Sequence, residues 1–130
     1  MGKSNSLEDY MKIILILQKR KSSVRSIDIA EEMGVTKPSV SNAMKKLREE
    51  KMIYYGDGGV ILFTDEGRTV AEKIYSKHSL LSKFLRIVGV NKDTADKEAC
   101  LMEHAISDET YERLDRFINT HDTEEDMDMI

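Results

Sequence analysis

One short stretch of the chain combines three side chains that bind transition metals. Residues 98–104 read EACLMEH and contain Cys100, the only cysteine, followed by Glu103 and His104. On an α-helix, residues three and four positions apart lie on the same side, so these side chains can converge on one point. A thiolate, a carboxylate and an imidazole form a softer ligand set than the all-oxygen sites of calcium and magnesium. The stretch therefore predicts a site for a divalent transition metal.

The same three residues allow other interpretations. A lone cysteine is often a small core residue, and Glu103 and His104 would then face solvent. A third possibility is an enzyme that uses Cys100 as a nucleophile or holds a catalytic zinc. Because no Gly-rich catalytic loop or oxyanion-forming turn accompanies the cluster, we predict that the protein is not an enzyme.

The charge of the chain is unevenly distributed along its length. The 130 residues carry a formal net charge of -4 and fit one domain, or two small lobes that share a core. Residues 1–63 contain 11 Lys and Arg against 8 Asp and Glu (net +3), whereas residues 64–130 contain 9 against 16 (net -7). A basic N-terminal portion can approach phosphates, and an acidic remainder can house cations.

The expected cellular compartment follows from the apolar segments and the cysteine content of the sequence. The sequence shows neither an apolar run of about 20 residues nor a signal peptide, so we expect no membrane partner. A single cysteine cannot form an internal disulfide. We therefore expect a protein of the reducing cytoplasm.

Two short helices separated by the tight turn GVT predict a helix-turn-helix. The first begins at Ser26, its expected cap, and stops at Gly34. The second is capped by Thr36 and reaches about Glu50. A preceding helix is expected over residues 6–19, with the serine at its start as N-cap.

A β-hairpin is expected directly after these helices. The β-prone runs MIYY and VILF are joined by GDGG, which is typical of a hairpin turn. Alternation along the first strand predicts that one of Tyr54 and Tyr55 is in the core. A hairpin in this position makes a winged helix-turn-helix.

The second half of the chain predicts a helical domain, so the fold class is mainly α with a small β-hairpin. Its three helices are expected over residues 64–88, 93–106 and 108–118. Their expected caps are Thr64, Asp93 or Thr94, and Ser107. On the last helix we expect Leu114, Phe117 and Ile118 to line one apolar side.

The exposed side of the helix at residues 37–50 offers groups that suit DNA. Asn pairs bidentately with adenine in the major groove, whereas Lys and hydroxyl groups hold phosphates. A solvated helix face with no partner is the alternative. One winged domain buries too little surface for tight specific binding, so we expect a homodimer on a palindromic operator of double-stranded DNA. The candidate DNA-binding residues are Arg25, Thr36, Lys37, Pro38, Ser39, Ser41, Asn42, Lys45 and Lys46. Tyr54 and Tyr55 could assist from the expected wing, unless they are in the core.

Nearly the whole chain resembles the diphtheria toxin repressor family of metal-dependent iron and manganese transcriptional repressors. The likeness runs through SLEDYM, IAEEMGVTKPSVSNAMKKL, FTDEGRTVAEKIYSKHSLLSKFL and, most specifically, EACLMEHAISDETYERL. It implies a winged helix-turn-helix DNA-binding domain at residues 1–66 and a helical metal-binding and dimerisation domain at residues 67–120. Residues 121–130 are expected to form an acidic flexible tail. The chain looks like a short form without the SH3-like domain of longer members.

The resemblance also implies a ligand set. Asp9 of the first helix matches one metal ligand, and Cys100, Glu103 and His104 match ligands on a later helix. His78 matches a ligand of a second site. The alternatives are that Asp9 is an ordinary acid of a helix N-terminal turn, and that His78 is a surface histidine.

The sequence departs from the family pattern at several of these positions. Lys12 and Cys100 stand where the manganese-sensing branch has acidic residues, and Asp9 stands where the iron-sensing branch has a thioether. At the second site, Ser82 and Asp96 replace Glu and His. One hypothesis is that the Lys12 ammonium takes the place of a second cation. The alternative is an exposed lysine with no tie to the site.

The function implied by the resemblance is repression of transcription in metal homeostasis. A dimer activated by Fe(II) or Mn(II) would bind the operator. We expect Fe(II) first, because one thiolate among harder ligands suits it, then Mn(II), with Co(II), Ni(II) or Zn(II) binding in vitro. Two alternatives are a winged-helix regulator of the multidrug-responsive type with no metal dependence, and a winged-helix module used only for protein association.

Overall fold

The fold is described from a computed structural model of the chain, covering residues 7–121. It consists of two compact units, Met1–Tyr75 and Ser76–Ile130, and the boundary falls within the long fourth helix. The elements are α1 (Leu7–Arg20), α2 (Ser26–Met33), α3 (Lys37–Glu49), β1 (Ile53–Tyr55), β2 (Ile61–Phe63), α4 (Asp65–Ile87), α5 (Lys92–Met102) and α6 (Asp108–His121), with a short 3-10 turn (Asp57–Gly59) between the two strands. The mainly α fold with one small hairpin confirms the predicted class.

Helix α1 provides one wall of the core of the first unit. Its first turn is acidic and its last turn is basic, an arrangement that complements the helix dipole. Ile14 and Leu15 are almost fully buried, together with apolar residues from α2, α3, the hairpin and the start of α4. The predicted serine cap of this helix lies outside the described residues.

The helix-turn-helix has the predicted turn, but α2 has a different cap. Gly34 adopts a left-handed conformation with φ 68°, and its N–H donates to the Ala30 carbonyl at 2.9 Å. The prediction of Ser26 as cap is wrong, because Ser26 is already helical and Arg25 is the N-cap. The carboxylate of Asp28 fixes this start by accepting the Arg25 N–H at 2.8 Å.

Helix α3 begins as predicted. The Thr36 hydroxyl caps the helix by accepting the Ser39 N–H at 3.3 Å. Proline in the first turn costs little, since that N–H has no partner within a helix. The buried side of α3 consists of Val40, Ala43, Met44 and Leu47, which leaves its polar side exposed.

The hairpin forms the wing and is attached to the rest of the first unit through its second strand. β1 and β2 pair antiparallel, with Ile53 opposite Phe63. The Ile61 N–H donates to the Val24 carbonyl at 2.8 Å, and the Gln18 side chain donates to the Ile61 carbonyl at 3.3 Å. These bonds hold the wing to the segments before α2.

The expectation that one wing tyrosine is in the core is wrong. Tyr54 is 50% exposed and Tyr55 is 38% exposed. Tyr55 lies at the last position of a three-residue strand, where its ring is covered by the Arg48 guanidinium instead of apolar core. The strand is too short for its alternation to reach the interior twice.

Helix α4 starts close against the loop before the wing. The Thr64 hydroxyl accepts the Gly67 N–H at 2.9 Å, as predicted for a cap, and donates to the Lys51 carbonyl at 2.7 Å. The Gly67 Cα approaches Met52 so closely that a Cβ there would lie 1.9 Å from the Met52 carbonyl oxygen. A glycine is therefore required at this contact.

The second unit contains the rest of α4 with α5 and α6. The predicted caps of α5 are wrong: Asn91 caps this helix by accepting the Thr94 N–H at 3.0 Å. The Ser107 hydroxyl caps α6 as predicted, accepting the Thr110 N–H at 3.1 Å. On α6, Ile118 is buried but Phe117 is 54% exposed, so only part of the expected apolar side is covered. No helix among residues 7–121 combines the length and apolarity needed to cross a membrane.

Candidate metal centre and nucleic-acid interface

The buried carboxylate of Glu103 is the centre of a donor cluster in the second unit. Its side chain is 2% exposed. One carboxylate oxygen, Oε1, lies 3.1 Å from Nδ1 of His78, and the other, Oε2, lies 3.6 Å from Nε2 of His104. A carboxylate removed from water needs hydrogen-bond donors or cations at its oxygens. Here both oxygens face imidazole nitrogens, a type of donor that also binds transition metals.

The thiol of Cys100 adds a sulfur donor to this cluster. Its Sγ lies within 4.8 Å of a carboxylate oxygen of Glu103. Cys100 is half-buried, so its thiol is only partly removed from solvent. Together, His78, Cys100, Glu103 and His104 offer nitrogen, oxygen and sulfur donors, a set that fits a first-row transition metal better than calcium or magnesium.

The local backbone explains why Cys100 and Glu103 stay on one side. α5 ends at Met102, earlier than predicted, but Glu103 keeps helical angles (φ -62°, ψ -24°) as the C-cap. Its N–H donates to the Ala99 carbonyl at 2.9 Å, so the helical spacing continues for one more residue. The His104 N–H then donates to Leu101 at 3.3 Å in a tighter turn. The interpretation with a solvated Glu103 is wrong.

A separate polar network lies on α4 and α5, the helices that carry His78 and Cys100. The Ser82 hydroxyl donates to Oδ1 of Asp96 at 2.5 Å, and the Lys92 ammonium donates to Oδ2 at 3.0 Å. Both bonds lower the pKa of the Asp96 carboxyl, and the bond from Ser82 has the larger effect. The lowered pKa favours the ionised form of Asp96. Each oxygen of Asp96 thus has a donor from the protein itself.

In the first unit, α1 buries an acid together with a base. The Asp9 and Lys12 side chains are 6% and 5% exposed, and Nζ of Lys12 lies 4.0 Å from Oδ1 of Asp9. The alternative of an exposed Lys12 is therefore wrong. The family role of Asp9 as a metal ligand stays a prediction, as do the roles of the four donors in the second unit.

The candidate DNA-binding residues lie on exposed surface of the first unit. Those on or beside α3 are all exposed: Thr36, Lys37, Pro38, Ser39, Ser41, Asn42, Lys45 and Lys46. Thr36 and Ser39 also bond to each other, with the Thr36 hydroxyl donating at 2.9 Å. Their exposure is what a DNA-reading face requires, and contact with DNA remains a prediction for each of them.

Arg25 has a structural role that the sequence did not reveal. Its side-chain Nε donates to the carbonyl of Gly58 at 2.9 Å, at the tip of the wing. Gly58 has φ 70°, a conformation that favours glycine. Arg25 is exposed, and it connects the start of α2 with the wing.

Sequence reasoning also missed Arg48 and its contact with the Tyr55 ring. The Arg48 guanidinium lies 5.2 Å from the centroid of the Tyr55 ring. The helical spacing of Ser41, Lys45 and Arg48 was a signal that could have placed Arg48 on the candidate DNA-binding side. The partner ring could not be identified without the position of the wing.

A winged helix-turn-helix followed by a helical unit with nitrogen, oxygen and sulfur donors is the architecture of metal-dependent DNA-binding regulators. Residues 4–60 match the family described as iron dependent repressor, N-terminal DNA binding domain. Residues 64–130 match the family described as iron dependent repressor, metal binding and dimerisation domain. The chain therefore belongs to the iron-dependent repressor family, which confirms the resemblance seen in the sequence. This family membership argues against the alternative of a multidrug-responsive regulator.

Relatives and solved structures agree with this assignment. The HTH-type transcriptional regulator MJ0568 of Methanocaldococcus jannaschii is 34% identical over 117 residues, covering 88% of this chain and 94% of the relative. MntR of Geobacillus kaustophilus is 31% identical, covering 84% and 77%. The structure of the manganese regulator SloR has a TM-score of 0.79 at 36% identity, covering 90% of this chain and 55% of SloR. For IdeR of T. acidophilum the TM-score is 0.78 at 28% identity. The chain spans about half the length of these solved structures.

Proposed function

We propose that this protein is a metal-dependent transcriptional repressor whose affinity for operator DNA is raised by Fe(II) or Mn(II). The observation that carries the proposal is the buried Glu103 carboxylate between His78 and His104, with the Cys100 thiol beside it. The family match supports it, as do similar solved structures described as a manganese regulator and a manganese-dependent transcriptional repressor.

The proposed ligands in the second unit are His78, Cys100, Glu103 and His104. The family resemblance also implies Asp9 of α1 as a ligand. A bound divalent cation supplies positive charge that stabilises ionised carboxylate and thiolate groups away from water. The protein's part is to hold these donors in place. Glu103 is held by its own backbone, because it is the C-cap of α5 and its N–H donates to the Ala99 carbonyl.

The proposed mechanism is thermodynamic linkage between metal and DNA. A metal that binds the DNA-competent arrangement more tightly than other arrangements shifts the population by that difference in affinity. In a cytoplasmic homodimer, this would fix the separation of two α3 helices so that they read both halves of a palindromic operator. The exposed polar side of α3 supports its role as the reading element.

The donor set bears on which metal acts in the cell. A thiolate favours Fe(II) over the harder Mn(II), whereas several similar solved structures are described as manganese regulators. Co(II), Ni(II) and Zn(II) should bind in vitro at least as tightly, following the usual affinity order. Metal availability and site geometry would then decide the physiological effector.

A chelation experiment tests the proposed function. Duplexes that bind the Mn(II)-loaded protein are selected from a random-sequence library and then used in gel shifts with a chelator, Fe(II) or Mn(II). We expect binding with either metal and loss of binding with the chelator, restored when metal is added back. Equal binding in the presence of the chelator would contradict metal dependence.

Replacement of Cys100 tests the sulfur donor. Cys100→Ala should weaken Fe(II)-dependent operator binding by more than about tenfold, because the site loses one of its ligands. Cys100→Ser, which keeps a small polar donor, should lose less with Mn(II) than with Fe(II). Fe(II)-dependent binding by the alanine variant equal to that of the wild type would remove the thiolate from the site.

Replacement of Lys12 tests how many metals each subunit holds. An ammonium buried beside Asp9 already supplies one positive charge there, so we expect one metal per wild-type subunit. Lys12→Glu would exchange that charge for a carboxylate one helical turn from Asp9 and should raise the metal count in equilibrium dialysis. Lys12→Met, which removes the charge without adding a ligand, is the control and should keep the wild-type count. An unchanged count and affinity in Lys12→Glu would discard the hypothesis.

A further inference from the structure

A polar groove lies on the first unit between α3 and the wing. Its volume is about 490 Å³, and it is lined by Ser41, Lys45, Arg48 and Glu49 of α3 and by Tyr55 of β1. The interpretation from sequence gave the wing tyrosines at most a general role in assisting DNA binding, and it assigned no function to Arg48 or Glu49. All five side chains are exposed, so the groove is open to a macromolecular partner.

The charged groups of the groove suit a single anion. Ser41, Lys45 and Arg48 are spaced so that they share one exposed side of α3, next to its buried side. Lys45 and Arg48 contribute two positive charges and Glu49 contributes one negative charge, which leaves the lining at +1. A phosphodiester carries one negative charge and matches this balance.

The Arg48 guanidinium is oriented before any ligand arrives. It lies over the Tyr55 ring, 5.2 Å from the centroid, and this stacking restricts the plane of its fork of N–H donors. A planar fork suits bidentate contact with a phosphate group. The Tyr55 hydroxyl is an additional donor next to the same groove.

We propose that this groove binds one phosphodiester group of the DNA backbone beside the bases read by α3. Arg48 is the phosphate-binding residue, and Tyr55 is the positioning residue that orients it. This inference rests on the proposed function, because it assigns a contact to the same DNA interface. It adds to that interface a contact that is independent of base sequence.

The test measures binding to a short mixed-sequence DNA duplex by fluorescence anisotropy over a series of salt concentrations, with the Mn(II)-loaded protein. Arg48→Gln should weaken binding about fivefold or more and reduce the slope of log affinity against log salt by about 0.9 for each lost phosphate contact. The matched control is Arg68→Gln. Arg68 also stacks on a ring, with 5.5 Å to the Phe63 centroid, and carries the same charge in the same unit, but it does not line the groove.

Variants of Tyr55 separate positioning from charge. Tyr55→Ala leaves Arg48 in place but removes its support. It should weaken binding while lowering the thermal unfolding midpoint only slightly, since Tyr55 is 38% exposed and lies outside the core. Tyr55→Phe keeps the ring and should retain most of the affinity. Tyr55→Ala binding as tightly as the wild type would overturn the positioning role.

The outcomes also separate this proposal from the proposed function. A wild-type protein that binds no DNA with any metal would contradict the function itself. A wild-type protein that binds DNA, with Arg48→Gln matching Arg68→Gln in affinity and salt slope, would overturn only the assignment of the groove.

Discussion

Replacing Glu103 with glutamine should remove metal-dependent DNA binding and leave the fold intact. The side chain is 2% exposed, and each of its oxygens faces one histidine. The amide keeps the shape but loses the negative charge, so we expect metal affinity to fall by about a hundredfold or more. Because the proposed mechanism links DNA affinity to metal occupancy, gel shifts at the metal concentration that saturates the wild type should show little complex.

The matched control for this variant is Glu98→Gln. Glu98 lies on the same helix, α5, and is exposed, so its replacement removes the same charge without touching the cluster. Metal binding is measured by equilibrium dialysis and DNA binding by gel shift. Metal affinity in Glu103→Gln equal to that in Glu98→Gln would exclude Glu103 as a ligand.

Replacing Gly67 with alanine should destabilise the first unit, although alanine is normally the better helix former by about 1 kcal/mol. The added Cβ would lie 1.9 Å from the Met52 carbonyl oxygen and 2.7 Å from its carbonyl carbon. Since both atoms are backbone, α4 or the loop before the wing must move. We expect a loss of about 3 kcal/mol in the free energy of unfolding, in the upper part of the range for overpacked sites.

This loss should appear as a fall of more than about 10 °C in the thermal unfolding midpoint. It should be accompanied by weaker DNA binding, because Thr64 bonds the same loop that leads into the wing. Glu66→Ala, one residue earlier and exposed, is the control and should change the midpoint little. A midpoint for Gly67→Ala within two degrees or so of the control would contradict the close contact at this glycine.

The parts of the fold that were predicted correctly depend on local signals. The turn after α2 requires a left-handed residue, which Gly34 supplies. Helices α3, α4 and α6 are capped by the hydroxyls of Thr36, Thr64 and Ser107. Each of these bonds joins residues only a few positions apart, so sequence spacing is sufficient to find them. The hairpin was recognised for the same reason, from its glycine-rich turn between two β-prone runs.

The incorrect predictions arose where two local signals compete. At α2, Ser26 is a good cap by type, but Asp28 binds the N–H of Arg25 and starts the helix there. At α5, Asn91 caps in preference to the acid and threonine that follow it. The relative strength of such neighbouring caps depends on geometry that the sequence does not specify.

The candidate site was predictable only along one helix. The spacing of Cys100 and Glu103 predicted their proximity, and the helical C-cap preserves it. The contact between His78 and Glu103, the burial of Lys12 and the stacking of Arg48 on Tyr55 depend on how separate elements pack. Periodicity carries no information about such contacts between distant segments.

The most direct test of the account is the reciprocity of metal and DNA binding. The affinity for Mn(II) is measured by titration with and without a saturating duplex selected by the loaded protein, and DNA affinity is measured with and without Mn(II). If the cation acts through linkage, DNA must raise metal affinity by the same factor by which metal raises DNA affinity. An affinity for Mn(II) that is unchanged by DNA would contradict the account.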